Sequence, residues 1–329
     1  MTLNHSNRAT RVAVVGLGNV GATFAYALML SGLAAEIVLI DVNAAKAEGE
    51  AMDLSHAVPF SHATNIWAGD YADCAGAAVT VVTAGTAQKP GETRLDLVKR
   101  NAAIFGKIIP EVAKHNPDGI ILITTNPVDV LTYTSLHDSG LPPQRVFGSG
   151  TILDTARFRT LLGRHFRVDP RSVHAWIIGE HGDSEVPVWS LANIAGMRLG
   201  DFAKARNCEY EIEQMQQIFR NTRDAAYHII ERKGATYYAV AAGLMRIVEA
   251  ILRDQYTILS VSSLVENYYG ITNVCFSLPT VINRSGIERV LHLQLDGSEQ
   301  NLLRKSAAVL EDTIARLGLR SATTPDAAD

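Results

Sequence analysis

The chain has 329 residues, more than one domain usually takes, so two lobes are expected. It is 47% hydrophobic and 19% charged, with a net charge of −4 and no basic block. That balance supports a large buried core and argues against nucleic acid or an anionic membrane surface as the main partner. No apolar run reaches the roughly 18 residues needed to span a bilayer. Residues 1–10 form a polar N-terminal extension without an apolar stretch, so no signal peptide is expected. Cys74, Cys208 and Cys275 are odd in number and far apart. They suit neither a metal cluster nor a disulfide framework, so the expectation is a cytoplasmic, reducing environment and no metal.

Arg11-Val-Ala-Val-Val15 reads as a short apolar strand, followed at once by Gly16-Leu-Gly-Asn-Val-Gly21 and an Ala/Leu-rich helix over residues 22–30. Glu36-Ile-Val-Leu-Ile-Asp41 is a second strand ending in an acid, twenty residues beyond Gly21. A strand, a G-x-G-x-x-G turn, a helix and a strand-end acid together form a dinucleotide-binding fingerprint. Gly16 allows the tight turn, Gly18 lets the backbone approach a pyrophosphate, and Gly21 lets helix and strand pack closely. The phosphates then sit at the helix N-terminus, where free N–H groups and the helix dipole favour anions. Asp41 is suited to accept hydrogen bonds from ribose hydroxyls and to repel a 2′-phosphate, which favours NAD over NADP as cofactor.

Ala78-Val-Thr-Val-Val-Thr83 and Gly119-Ile-Ile-Leu-Ile-Thr124 are near-continuous apolar runs, the pattern of strands buried on both faces of a parallel sheet. Helical stretches, for example residues 94–114, lie between them. Two strand ends carry polar groups, Ala84-Gly85-Thr86 and Thr125-Asn126-Pro127, where open α/β sheets bind ligands. The polar loop Thr86-Ala-Gln-Lys-Pro-Gly-Glu-Thr-Arg94 reads either as a solvated surface loop or as a lid that delivers charge. The fold class is α/β: a doubly wound Rossmann sheet over residues 11–150, then an α+β substrate domain over 151–318 and a disordered tail over 319–329.

In the second half, Thr151 is the expected N-cap of a helix, with Asp154 completing a capping box. Asp154 and Arg157 are three apart and share a helix face, so an ordinary ion pair is one reading of them. An apolar strand ending at Ile178 delivers His181 into the Gly-flanked turn Gly179-Glu-His-Gly182. Residues 211–231 read as one amphipathic helix, with Ile212, Met215, Phe219, Ala226 and Ile229 or Ile230 on one side. Residues 258–265 and 274–282 read as antiparallel strands. A last helix carries an apolar stripe of Leu303, Ala307, Leu310, Ile314 and Leu317.

Six motifs taken together resemble the lactate/malate dehydrogenase superfamily, in its NAD-dependent L-lactate dehydrogenase branch of the bacterial allosteric type. They are Gly16–Gly21, Gln88-Lys-Pro-Gly-Glu-Thr-Arg94, Thr125-Asn-Pro-Val-Asp129, Leu153-Asp-Thr-Ala-Arg157, Gly179-Glu-His-Gly-Asp183 and Gly234-Ala-Thr236. The resemblance implies an acid/base His181 oriented by Asp154, a substrate carboxylate held by Arg157, and a carbonyl polarised by Arg94. It implies Asn126 near nicotinamide and substrate oxygen, and Thr236 in the substrate pocket. Val20, Asp41, Lys46, Tyr71, Gly85, Thr86 and Ser149 fall where relatives line the NAD site.

Gln88 bears on the substrate. Malate dehydrogenases of the resembling family have arginine there, to pair with a second carboxylate, whereas a neutral amide would leave that charge buried and unpaired. Pyruvate and lactate are therefore expected over oxaloacetate and malate. The resemblance also implies a homotetramer and a fructose 1,6-bisphosphate activator at Arg159 and His174; on residue chemistry alone these are a surface arginine and a strand histidine. Two alternatives stay open: a malate or other 2-hydroxyacid dehydrogenase, and a non-catalytic NAD-binding protein.

Overall fold

The computed structural model describes residues 10–87, 91 and 93–318, and for Arg94 its backbone alone. The first half alternates as its apolar runs require: β1 (Arg11–Val15), α1 (Asn19–Ser31), β2 (Glu36–Ile40), α2 (Ala44–Ala57), β3 (Asn65–Ala68), β4 (Val79–Val82), α3 (Arg94–His115), β5 (Ile120–Ile123), α4 (Val128–Ser139) and β6 (Val146–Gly148). The strands at β1, β2, β4 and β5 are almost wholly buried because helices cover both faces. Their order, β3-β2-β1-β4-β5-β6, is that of a doubly wound dinucleotide-binding sheet, and every neighbouring pair runs parallel. Strand order reverses between β1 and β4. The cleft at that switch point is where such sheets bind ligands.

The second half comprises α5 (Ile152–Phe166), β7 (Val173–His174), β8 (Ile177–Ile178), β9 (Val186–Pro187), β10 (Asn193–Ile194), β11 (Met197–Arg198), α6 (Leu199–Arg206), α7 (Ile212–Arg223), α8 (Ala225–Lys233), α9 (Tyr238–Leu252), β12 (Thr257–Val265), β13 (Val274–Asn283), β14 (Gly286–Val290) and α10 (Gly297–Arg316). Strands β12 to β14 form an antiparallel meander. They continue the first sheet to nine strands through the single pairing of Ser262 with Gly148.

Three sequence expectations are corrected. The amphipathic stretch over 211–231 is two helices broken at Asp224, whose backbone N–H caps α7. Met215 is buried as expected, but Ile212 is 72% and Ile230 46% exposed. The strand before His181 is interrupted: β7 pairs with β10 and β8 with β9, with Ala175 and Trp176 between them. Thr151 stands at the N-cap of α5 but its side chain caps nothing. Its hydroxyl donates to the Ile177 carbonyl at 2.6 Å instead. The stripe on α10 is buried at Leu303, Ala307, Leu310 and Ile314 as the periodicity predicts.

Candidate active site

The glycine turn after β1 is built for close approach. Gly16 has φ +96°, and a Cβ there would lie 2.4 Å from the Ala84 nitrogen; a Cβ on Gly21 would meet the Gly16 carbonyl at 2.0 Å. Gly18 differs: nothing lies within 4 Å of the position its Cβ would take. It is the N-cap of α1 and brings no side-chain cap, so the helix N-terminus keeps donors facing open space. The Asp41 carboxylate accepts the Leu17 N–H at 2.7 Å and the Asn43 N–H at 2.9 Å, clamping the turn against the end of β2. An open backbone at a helix N-terminus beside a strand-end carboxylate fits a dinucleotide.

The other strand-end residues converge on the same edge. Gly85 and Thr86 follow β4, Asn126 follows β5, and Ser149 follows β6. Buried Asn101 on α3 ties two of these loops together: its Oδ1 accepts the Thr86 N–H at 3.0 Å, and its Nδ2 donates to the Asn126 carbonyl at 3.0 Å. Tyr71 lies near Asp41 and Cys74, its hydroxyl pushed up chiefly by burial. Val20 packs against the core from α1. Lys46 is exposed on α2, its backbone N–H held by Asn43.

His181 sits beyond β8 in a turn held from several sides. Gly179 has φ +84°, and a Cβ there would be 2.7 Å from Ser306 Oγ, so the turn needs glycine. The Glu180 N–H donates to Ser306 Oγ at 2.8 Å, and the Glu180 carboxylate accepts from the Ser184 hydroxyl. The His181 N–H donates to Asp129 Oδ2 at 2.7 Å. Helix α5 is pinned to the same strand, because the Thr151 hydroxyl donates to the Ile177 carbonyl at 2.6 Å and the Thr155 hydroxyl accepts the Ile177 N–H at 3.1 Å; Ser260 of β12 donates to the same carbonyl. With strand and helix locked together, Asp154 faces His181: Nδ1 to Oδ2 is 2.5 Å. Arg157, one turn along α5, donates to Asp154 Oδ1 at 2.9 Å.

These contacts set the charges. Burial works against a charged His181, but Asp154 first, and then Asp129, outweigh it and raise the imidazole to about 9. Burial likewise opposes ionised Asp154, yet His181 and Arg157 bring its carboxyl below the usual range. Asp129 is raised to about 6, chiefly by burial. The array is therefore an imidazolium paired with the Asp154 carboxylate, with a guanidinium alongside and Asp129 on the His181 backbone.

His181, Asp154, Arg157 and Asn126 line a cleft of about 280 Å³ closed by Ala226, Tyr227 and Ile230 of α8. A smaller cavity of about 110 Å³ shares Asn126, Arg157 and His181 and reaches Ser149 and Thr236. The structure thus gathers His181, Asp154, Arg157, Asn126, Ser149 and Thr236 in one place. Arg94 opens α3, whose capping box is made by Thr93 and Asp96. Gln88 lies outside the described residues, as do Lys89, Pro90 and Glu92 of the expected lid. Arg159 Nε donates to the Ala175 carbonyl at 2.9 Å and its guanidinium stacks on Trp176, beside exposed His174. Asn101, Asp129 and Glu185 were not expected as site residues. Asp129 stood in a quoted motif, and Asn101 is an amide on an otherwise apolar helix face; Glu185 carried no signal. No group of side chains suited to a metal ion occurs among the described residues, and no described helix is long and apolar enough to cross a membrane.

The fold and site define an enzyme class built on a dinucleotide-binding sheet with an adjoining proton-transfer cleft. Residues 10–148 match the lactate/malate dehydrogenase NAD-binding domain, and 151–318 match the lactate/malate dehydrogenase alpha/beta C-terminal domain. The chain belongs to the lactate/malate dehydrogenase family, and it is an NAD-dependent oxidoreductase. It is 53% identical over 318 residues to an L-lactate dehydrogenase of Acetivibrio thermocellus, covering 96% of this chain and 100% of that one. It is 52% identical over 314 residues to a probable L-lactate dehydrogenase of Schizosaccharomyces pombe, covering 95% of each. A lactate dehydrogenase from a Medee basin deep-sea metagenome library superposes with a TM-score of 0.91 at 42% identity, covering 94% of this chain and 99% of that one. The minor L-lactate dehydrogenase of Enterococcus mundtii gives 0.91 at 40% identity, covering 95% and 99%.

Proposed function

We propose that this chain is an L-lactate dehydrogenase, interconverting (S)-lactate and pyruvate. The observation that carries the reading is the Asp154–His181–Arg157 array in a cleft beside the dinucleotide-binding edge. With Nδ1 held by Asp154, His181 has Nε2 to exchange a proton with the substrate oxygen: it takes the hydroxyl proton of lactate and returns it to the carbonyl oxygen of pyruvate. Asp154 fixes the ring and stabilises the imidazolium. Arg157 offers a planar fork to the substrate carboxylate, and Arg94 meets the charge growing on the carbonyl oxygen. NAD, when bound, supplies the acceptor for the hydride that leaves C2 of lactate. Gly16, Gly18, Gly21, Asp41 and the strand-end residues Gly85, Thr86, Asn126 and Ser149 hold it, with Val20, Lys46 and Tyr71 at its margins.

Gln88 selects monocarboxylates in this reading, since a second carboxylate would be buried without a cation, at several kcal/mol. The test is NADH oxidation with pyruvate and with oxaloacetate, on the enzyme and on Gln88→Arg. Higher kcat/KM for pyruvate, shifting towards oxaloacetate in the variant, is the expected result. Higher kcat/KM for oxaloacetate in the unaltered enzyme refutes the assignment.

The wider reading is of a cytoplasmic homotetramer in lactate fermentation, with an NAD domain over 11–150, a substrate domain over 151–318, and fructose 1,6-bisphosphate acting at Arg159 and His174. Exposed apolar side chains on and after α2, Met52 at 61% and Phe60 at 91%, support self-association.

A further inference from the structure

Glu185 is the least expected group in the cleft. It leaves 6% of its surface exposed, and its Oε1 is buried with no hydrogen-bond partner. Among the described residues it makes no ion pair. Yet it lines the same cleft as Arg157, His181 and Asp154. An ionised carboxylate in that position would be costly, because it is buried and no described side chain pairs it.

The charged and titratable groups around it come from three helices and from its own loop. Asp154 and Arg157 face it from α5, and His181 and Asp183 belong to its own loop. Arg223, at the end of α7, contributes attraction, but its guanidinium is taken by Asp224 at 2.9 Å. Tyr227, from α8, gives its hydroxyl to Asp183 at 2.9 Å. The two guanidinium groups of the cleft are thus committed to Asp154 and Asp224 before any substrate arrives.

We infer that Glu185 is a specificity-determining residue which must be a neutral carboxylic acid for a 2-oxoacid anion to bind beside Arg157. Ionised, Glu185 repels the substrate carboxylate and competes with it for Arg157; protonated, it presents an uncharged wall. Burial first, and then the neighbouring Asp154 charge, push its proton affinity upward, so the neutral form prevails at neutral pH. The inference rests on the proposed role of Arg157. It adds a second proton, besides that on His181, to the requirement for binding. The two protons belong to the coupled pair as a whole, so the observable is their number.

The measurement is oxamate affinity for the NADH-loaded enzyme against pH, read by nicotinamide fluorescence, with circular dichroism verifying the fold. Oxamate mimics pyruvate but does not react, so the result does not depend on the proton-transfer step. For the enzyme as it is, Kd is expected to rise about 100-fold per pH unit above about pH 9.5, the limit for loss of two protons. Glu185→Gln should rise only about 10-fold per unit, while Glu185→Asp, which keeps a carboxyl, should retain the two-proton dependence. A tenfold dependence in the unaltered enzyme overturns the inference, whether or not Glu185→Gln folds. So does a two-proton dependence that survives Glu185→Gln. Absence of oxamate binding at neutral pH overturns the carboxylate-binding reading of Arg157 itself, and is distinguishable from either result.

Discussion

His181 Nδ1 and Asp154 Oδ2 lie 2.5 Å apart, although the two residues sit on different elements and the carboxylate is 3% exposed. A buried carboxylate at that distance keeps a proton on the imidazole and directs the other ring nitrogen into the cleft. Asp154→Asn preserves size but removes the charge. Pyruvate kcat/KM is expected to fall on the order of 10⁴-fold, by analogy with the loss when a catalytic triad's aspartate becomes asparagine. Steady-state NADH oxidation checks this. A loss below tenfold would mean that Asp154 only fills space.

The pH profile follows from the raised imidazole. Pyruvate reduction needs the imidazolium, and lactate oxidation the neutral ring. With His181 at about 9, pyruvate kcat/KM should stay level through neutral pH and fall once pH passes about 9, whereas lactate oxidation should rise towards that pH. The same shift acts on folding. The folded value lies above the unfolded one near 6.5, so this contribution to stability is complete below about 6.5 and is lost as pH rises through about 9. A pyruvate profile that breaks near the ordinary histidine value would contradict the assignment.

Much of this was legible in local pattern. The β1–Gly16–Gly21–α1–β2 unit is contiguous, so apolar runs and glycine spacing expose it directly. Asp154 and Arg157 were visible as neighbours on a helix because three residues separate them. Their junction with His181 was not: it depends on Thr151 and Thr155 fastening α5 to Ile177. The same bond removed Thr151 from its expected capping role, as tertiary contact outweighed a local preference. Strand β6, of three residues, is too short for periodicity to reveal, and β3, Asn65–Ala68, is only partly buried and so lacks the continuous apolar run that exposes the equally short β4 and β5. Glu185 reads as one more polar residue after a turn. Only its burial beside Asp154 gives it a role, and burial at a loop position has no sequence period.

Arg159 and His174 offer a test of regulation. Arg159 already spends Nε on the Ala175 carbonyl and its face on Trp176. Burial alone lowers its proton affinity. A phosphate has the remaining guanidinium edge to bind, with the exposed imidazole of His174 as a second partner. Fructose 1,6-bisphosphate titrated at low pyruvate is expected to lower KM. Arg159→Gln should abolish the response. A flat response of KM and kcat in the unaltered enzyme removes the allosteric reading.

Gly16 and Gly18 stand two residues apart but answer to different demands, and substitution separates them. Alanine at Gly16 would need φ +96° and would force a methyl to 2.4 Å from the Ala84 nitrogen, so Gly16→Ala should cost roughly 2–4 kcal/mol of stability. Gly18 has φ −67° and open space around its missing Cβ, so Gly18→Ala should leave Tm nearly unchanged. If that space receives a pyrophosphate, the added methyl holds the anion off the α1 N-terminus, and the NADH Kd should rise at least tenfold, about 1.4 kcal/mol. Thermal unfolding and fluorescence titration of NADH measure the two effects independently. An unaltered Kd in Gly18→Ala would show that the space above α1 serves something other than the phosphates, even if Gly16→Ala unfolds as expected.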